Sequence, residues 1–403
     1  MPEPPYLRID THVHVALLGP EPPPTRPVTA NAPFMEPQPE RGGMTLEMRH
    51  SAPLAVFLFY NKIEPHELSD TLLRQRSLDN IAHSSFNYVV CLALDAVYSP
   101  AGERRPELSS MWVSNEYVLE LAAELKAMLP PEEQSRRGIL LGASVHPYAP
   151  NFRERVTWCV DHGAVLLKWL PSAQQINLAD DRVGAALEFL ATARQGRPLP
   201  VLLHVGTELA ILTTDPKTTS YDFLSWSTWD RFWNRLRPSE ARWATPDLTG
   251  VRRNLDRGLN AGGCLILAHC GLPYFAPNFF KKWLEHSDFK VVREYLERHR
   301  GTDGIRGKCF ADVSAVVTPF RKSYFDDIRK LPPGSVLAAS DFPVPVFELS
   351  ADLGENLEDL GAILNGEFER IIVPEGNLLD VNWRELQHAF PGHPMFENAS
   401  QII

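Results

Sequence analysis

Two histidines near the start of the chain, His12 and His14, have the spacing of a metal-binding pair. They lie in the stretch Leu7–Val15, which reads as a β-strand. Successive side chains of a strand point to opposite faces, so both imidazoles share one face with Asp10. Imidazole is the commonest neutral metal ligand, and two on one face can reach a single ion. The pair alone leaves open a second interpretation, in which both histidines only find hydrogen-bond partners at a strand end.

Further residues able to do chemistry stand at the ends of later apolar stretches. They are His146 after the third stretch, Lys168 in the fourth, His204 in the fifth, His269 in the sixth and Asp341 in the eighth. A lysine inside an apolar strand is costly unless it is neutralised or paired. Two strands ending in histidine, together with the His12–His14 pair, Lys168 and Asp341, are hard to assign to chance.

The elements that must position these residues form a repeating pattern. Eight apolar stretches read as strands, mostly separated by helices, and most are continuous apolar runs of the kind found in a parallel sheet covered on both faces. They are Leu7–Val15, Tyr88–Leu94, Ile139–Val145, Ala164–Leu170, Pro200–Gly206, Cys264–His269, Cys309–Val317 and Ser335–Asp341. Eight β-then-α units predict an α/β fold of the (β/α)8 TIM-barrel type, in which active sites lie at the C-terminal ends of the strands. The alternative is a doubly wound open sheet, but no predicted strand is followed by the GxGxxG motif typical of that fold.

Two long insertions interrupt this pattern. Residues 16–53 are rich in proline and glycine, which predicts irregular structure. Residues 209–249 carry an unusual density of aromatic side chains, among them Trp226, Trp229 and Trp233. We expect one barrel over residues 1–403, with both insertions forming a lid or cap, and the last 62 residues to hold one helix around Asn356–Leu364 and a tail. Aromatic surface of this kind often forms a subunit interface, so we also expect a homodimer.

Composition excludes several classes of protein. The net charge is −10 and no basic stripe is visible, so nucleic-acid binding has no electrostatic basis. No stretch approaches the roughly 20 apolar residues of a membrane span. The first residues lack the basic and apolar regions of a signal peptide. The cysteines number five, an odd count, and form no CxxC motif, which favours buried free thiols in a reducing compartment. We therefore expect a cytoplasmic protein. We also expect its partner to be a small-molecule substrate.

The order of these residues, with three local phrases, resembles the amidohydrolase superfamily. The phrases are Leu167–Pro171, Ala268–Gly271 and Ser340–Pro343, and they look like its amidohydrolase-related branch, which includes aminocarboxymuconate-semialdehyde decarboxylase and metal-dependent TIM-barrel hydrolases. The resemblance runs from Asp10 to about Pro345 without the two insertions.

The resemblance implies a ligand set. His12, His14 and Asp341 would bind one divalent ion, and a carboxylated Lys168 would bridge to a second ion held by His204 and His269. Zinc is the first expectation for the metal, with Fe²⁺ and Mn²⁺ as alternatives, because these ligands suit all three. Without metal, Lys168 would instead be ion-paired to Asp341.

The function implied is that of a metal-dependent hydrolase. A metal-bound hydroxide would attack an amide, ester or lactone carbon, with Asp341 as proton shuttle. The alternative is a decarboxylase with one metal ion that acts on a small aromatic or unsaturated carboxylic acid, and a third is a barrel kept as a binding subunit. His146, Tyr148 and Glu208 lie at or beyond strand ends and are candidates for substrate contacts, although His146 could equally anchor a loop.

Overall fold

The architecture is known from a computed structural model. It describes residues 6–19, 41–206, 208, 210–211, 247–272, 288–301, 304–318, 321–344, 348–349, 371–372 and 375–403. Most of the aromatic insertion and the helix expected around Asn356–Leu364 lie outside these residues, so both expectations stay predictions.

An eight-stranded parallel sheet forms the centre of the fold, as the apolar stretches predict. Each strand of this sheet pairs with the strand of the sheet that follows it along the chain. The strands are β1 Ile9–His14, β2 Tyr88–Leu92, β3 Gly138–Ala143, β4 Ala164–Trp169, β5 Val201–Leu203, β6 Leu265–Leu267, β7 Cys309–Asp312 and β8 Val336–Leu337.

The sheet closes on itself between its first and last strands. Val13 forms a parallel bridge with Phe342, just beyond β8. The His14 amide donates to the Phe342 carbonyl at 2.6 Å, and the Asp341 amide donates to the His12 carbonyl at 3.0 Å. Closure removes the sheet edges and makes the predicted TIM barrel.

The pleat of the strands places the candidate residues above an apolar floor. Leu166, Leu202 and Phe310 belong to one buried apolar cluster. Each stands two residues before a polar side chain on the same strand or just past its end, namely Lys168, His204 and Asp312. Because side chains repeat on one face every second residue, the polar groups form the next layer up, towards the C-terminal ends of the strands.

Helices surround the barrel and cover its outer face. Several begin at a side-chain cap, for example the helix Asn115–Met128 at Ser114 and the helix Asp181–Leu190 at Asp180. Gly258 allows the helices Asp181–Leu190 and Leu248–Asn260 to pack closely, because a Cβ there would lie 2.6 Å from the Leu187 Cβ. The helices are α1 Leu46–Arg49, α2 Ala52–Tyr60, α3 Asp70–Ala82, α4 Asn115–Met128, α5 Phe152–Asp161, α6 Pro171–Gln174, α7 Asp181–Leu190, α8 Leu248–Asn260, α9 Asp288–Arg298, α10 Phe325–Ile328, α11 Leu378–Ala389 and α12 Met395–Asn398.

The prediction that residues 16–53 are irregular throughout is wrong for their last part. Gly42–Met44 is a strand that pairs antiparallel with Met111–Val113, and α1 follows it. Glycine is tolerated in this strand because the backbones approach closely: a Cβ on Gly42 would lie 2.7 Å from the Trp112 carbonyl oxygen. Other short antiparallel pairs join Val97–Tyr98 to Arg104–Arg105 and Glu348–Leu349 to Ile371–Ile372.

The C-terminal tail also contains more regular secondary structure than the sequence prediction gave it. α11 is a regular helix capped by Asn377, and it buries Leu379, Trp383 and Leu386. These three positions have helical spacing, so the signal was present in the sequence.

The five cysteines are buried and free, in agreement with the prediction. Across the residues described, the helices are too short or too polar for any of them to cross a membrane.

Candidate metal centre

The two histidines of β1 converge as their spacing predicts. The Nε2 atoms of His12 and His14 lie 3.1 Å apart. His12 is fully buried, whereas the His14 side chain is 24% exposed, so the pair reaches from the interior to an accessible edge.

Asp341 joins this pair from the other side of the barrel seam. Its Oδ1 lies 3.3 Å from His12 Nε2 and 3.2 Å from His14 Nε2. Asp341 has a φ of 64°, a left-handed conformation that non-glycine residues adopt rarely and that is concentrated at functional sites. Its amide hydrogen bond to the His12 carbonyl holds it there.

These three side chains form a group able to hold an ion, with one ligand atom each and all atoms within 4.8 Å of one another. Ligands about 2.0–2.1 Å from a tetrahedral ion lie roughly 3.3 Å from each other, so the observed spacings suit one ion. The grouping of His12, His14 and Asp341 agrees with the predicted first metal site.

Lys168 reaches the same place from β4. Its Nζ lies 3.2 Å from His12 Nε2, and the residue is 1% exposed. Lys168 thus lies beside the first proposed metal site, and its bridging role stays a prediction. Its carboxylation stays a prediction.

His269 and His204 form a second pair beside the first. His269 Nε2 lies 3.3 Å from His204 Nδ1, and His269 Nδ1 lies 3.8 Å from Asp341 Oδ2. His269 also has a left-handed backbone, with a φ of 55°. The buried His204 Nε2 has no hydrogen-bond partner among the residues described, and a buried polar atom of this kind is usually satisfied.

Glu208 lies next to this second pair. Its Oε2 is 3.5 Å from His204 Nδ1, while its Oε1 accepts hydrogen bonds from the amides of Ala210 and Ile211. Burial raises the pKa of Glu208. Its position agrees with the prediction that it borders the site; contact with a substrate stays a prediction.

Asp312, the last residue of β7, was not among the residues predicted from the sequence. Its Oδ2 lies 3.0 Å from His12 Nδ1, and its Oδ1 accepts from the His269 amide at 2.9 Å. Ser314 connects the same carboxylate to His269: the Ser314 hydroxyl donates to Asp312 Oδ1 and lies 2.9 Å from His269 Nδ1. Asp312 thus orients two imidazoles, which is the role carboxylates play behind metal-ligating histidines.

Burial keeps His12, His204 and His269 neutral. It lowers the pKa of His12 and, to about 3, the pKa of His269, and burial together with His269 and Lys168 lowers the pKa of His204 well below its usual value. Burial opposes ionisation of Asp341, but its interactions with His269, His12 and His14 outweigh this effect and lower its pKa. Neutral imidazoles beside an ionised carboxylate are the protonation states that bind a divalent cation.

His146 and Tyr148 are not brought into this cluster. His146 Nε2 lies 2.9 Å from the Gln174 carbonyl, and its Nδ1 accepts from the Tyr148 amide at 3.1 Å. The Tyr148 hydroxyl accepts from the Asn177 amide. Because the main chain occupies both nitrogens of His146, the structure favours its reading as a loop anchor. Asp10 likewise binds main chain, accepting from the amides of His12 and Ser340.

Comparison with known proteins gives similarities to solved structures alone. No protein-family model and no curated protein matches the chain. An IDCase from Metarhizium anisopliae in apo form is 14% identical, with 95% of this chain and 96% of that chain covered and a TM-score of 0.39. A probable 2-pyrone-4,6-dicarboxylic acid hydrolase from Acinetobacter baumannii is 13% identical, covering 94% and 98% at a TM-score of 0.38.

A 2,6-dihydroxybenzoate decarboxylase from Rhizobium is also 13% identical, covering 96% and 98% at a TM-score of 0.38. The similar structures thus include a hydrolase and a decarboxylase. At such low identity and TM-scores, the fold and the site of this chain rest on its own strand order and side-chain geometry.

Proposed function

We propose that the chain is a metal-dependent hydrolase that acts on an amide, ester or lactone. The observation that carries the proposal is the convergence of His12 Nε2, His14 Nε2 and Asp341 Oδ1 within 3.1–3.3 Å of one another. These atoms are presented at the C-terminal end of a barrel, where barrel enzymes have their active sites.

The residues have separate roles in this proposal. His12, His14 and Asp341 hold one divalent ion, and His204 and His269 hold a second. A divalent ion in such a site lowers the pKa of water and polarises a carbonyl group. Asp341 accepts the proton of the attacking water at Oδ2, since its Oδ1 faces the two Nε2 atoms, and returns it to the leaving group.

Lys168 is the reason to favour hydrolysis over decarboxylation. As the free amine, its Nζ would add to carbon dioxide: an N–C bond would form, one C=O π bond would open to give the carboxylate, and one proton would leave to solvent. The resulting carbamate would be an anionic ligand for divalent cations. Asp312 and Ser314 keep His12 and His269 in the orientation that this centre needs.

A single-ion decarboxylase of a small aromatic or unsaturated acid is the second candidate. One observation favours it: within the described part of the chain, the group that satisfies metal geometry consists of three residues, His12, His14 and Asp341. In that case Lys168 stays an amine beside His12.

The deciding experiment is the metal content per chain, by elemental mass spectrometry on protein purified without chelator. About two ions support the hydrolase with a bridged pair, and about one supports the single-ion decarboxylase. No metal, with none taken up on addition, contradicts both. Lys168→Ala should remove the second ion and turnover of an ester and lactone panel, and full activity in that variant contradicts the bridging role.

A matched control is Lys308→Ala. Lys308 is also buried, with 8% exposure, but it precedes β7 at the opposite end of the barrel and donates to Gln401. Its removal should leave the metal content unchanged.

A further inference from the structure

Lys168 stands where the pairing of its strand with one neighbour ends. Between β3 and β4 the last registered pair is Ala143 with Leu167. On the other side, β4 stays paired with β5 as far as Trp169. Lys168 is therefore the first residue of β4 beyond its registered pairing with β3.

Side chains continue the connection between β3 and β4 from this point. The hydroxyl of Ser144, the residue after β3, donates to the Lys168 carbonyl at 3.0 Å. One position further, Trp169 Nε1 donates to the Val145 carbonyl at 2.9 Å. Both hydrogen bonds are buried, and Ser144 and Lys168 are each 1% exposed. The Ser144 hydroxyl thus holds the main chain of Lys168 towards β3.

Gln174 fixes the direction of this hydroxyl. Its Oε1 accepts from the Leu170 amide at 2.7 Å. Its Nε2 therefore faces two acceptors, the Asp95 carbonyl at 3.1 Å and Ser144 Oγ at 3.2 Å. A serine hydroxyl has a single proton to donate. Because Ser144 Oγ accepts from Gln174, its proton is directed to the Lys168 carbonyl.

Asn115 fixes the main chain of Ser144. Asn115 is the first residue of α4, and its Oδ1 accepts from the Ser144 amide at 2.8 Å. Its Nδ2 donates to the Ser144 carbonyl at 3.0 Å. The amide, the carbonyl and the hydroxyl of Ser144 all have buried partners, so this residue links α4 and α6 to β4.

The link reaches the metal centre through Lys168. Lys168 Nζ lies 3.2 Å from His12 Nε2, at the end of a flexible four-carbon side chain. A displacement of about 1 Å at a reacting centre can cost on the order of a hundredfold in rate. The position of the Lys168 main chain, from which this long side chain starts, therefore matters for what Nζ can do.

We propose that Ser144 is a positioning residue that holds Lys168 at the metal centre, with Gln174 directing its hydroxyl. The inference rests on the proposed function in one respect, namely that Lys168 contributes to metal binding. A matched control is Ser84, another buried serine, whose hydroxyl donates to the Ile81 carbonyl at 2.8 Å. Ser84 precedes β2 and therefore lies at the opposite end of the barrel.

The first test is a double-mutant cycle on zinc affinity, measured by competition with a chromogenic chelator. Lys168→Met and Ser144→Ala should each weaken zinc binding about tenfold or more. In the Lys168→Met background, Ser144→Ala should have no further effect, because Ser144 acts through Lys168. Ser84→Ala should lower Tm as Ser144→Ala does, but it should not change zinc affinity in either background. Ser144→Ala with the wild-type affinity, or with the same loss in both backgrounds, overturns the proposal.

Ser144→Thr keeps the hydroxyl, so its zinc affinity should lie closer to that of the wild type than the affinity of Ser144→Ala does. The reverse order contradicts a role for the hydroxyl. Turnover does not enter the cycle, so a wild type that binds zinc without hydrolysing an ester and lactone panel contradicts the hydrolase and leaves the cycle to decide Ser144.

If the wild type binds no zinc, crystal structures of the variants decide the role of Ser144. Lys168 Nζ should stay within hydrogen-bond distance of His12 Nε2 in Ser84→Ala and move out of it in Ser144→Ala. An unchanged distance in Ser144→Ala overturns the proposal.

Discussion

His12 and Asp312 are joined by a buried contact of 3.0 Å between Nδ1 and Oδ2, and neither residue is exposed to solvent. With the Nδ1 proton donated to this carboxylate, the lone pair of Nε2 faces His14 and Asp341. The seventh strand therefore sets the ligand geometry of the first, although Asp312 itself does not touch the proposed metal position.

Asp312→Asn should weaken metal binding about 10–100-fold, because an amide cannot accept the His12 proton as a carboxylate does and the ring loses its fixed tautomer. Competition with a chromogenic chelator measures the affinity. Asp326→Asn, which alters an exposed carboxylate paired with Arg329, is the control and should have no effect. An Asp312→Asn protein with wild-type affinity contradicts the orienting role.

Removal of metal should destabilise the protein. A ligand at 100 times its dissociation constant stabilises the folded state by about 2.7 kcal/mol, so chelation should lower Tm by several degrees and added zinc should restore it. Scanning fluorimetry with and without chelator measures the shift. His14→Ala, which lacks one of the three proposed ligands of the first ion, should have a Tm that responds less to chelator than that of the wild type; an unresponsive wild type counts against a metal centre.

His146→Ala should lower the free energy of unfolding at pH 7 by about 2–4 kcal/mol, because it leaves the Gln174 carbonyl and the Tyr148 amide without their buried partner. Urea unfolding measures the loss. His162→Ala removes an exposed histidine that bonds the Trp158 carbonyl, and should cost less than about 0.5 kcal/mol. A His146→Ala protein that is as stable as the wild type but no longer binds substrate would contradict the loop-anchor role and support a substrate contact by His146.

The same histidine predicts a pH dependence. Burial lowers the pKa of His146 from 6.5 to about 4. As the pH falls from 6.5 towards 4, His146 is protonated in the unfolded chain but stays neutral in the folded chain. The free energy of unfolding therefore decreases. Between pH 7 and pH 5 the stability advantage of wild type over His146→Ala should shrink by about 2 kcal/mol, measured by urea unfolding at both pH values. An advantage that stays constant shows that His146 titrates normally in the folded protein.

The barrel was predictable because strands buried on both faces leave continuous apolar runs, and each of the eight runs contains one strand of the sheet. The ligands on β1 and after β8 were predictable from residue type and position at strand ends. Asp312 was not, because the predicted strand continued to Val317 and placed it in mid-strand, whereas β7 ends at Asp312.

The role of His146 could not be read from its residue type, since a ligand and a loop anchor look alike in sequence. Its partners decide it, and one of them, Gln174, is 28 residues away.

The seam between β1 and β8 has a consequence for biosynthesis. Asp341 leaves the ribosome more than three hundred residues after His12 and His14, and the hydrogen bond from its amide to the His12 carbonyl can form only then. At about 5–20 residues per second, the two histidines wait on the order of tens of seconds for their third partner. The group that could hold an ion is therefore completed late in the synthesis of this chain, at the step that joins its first strand to its last.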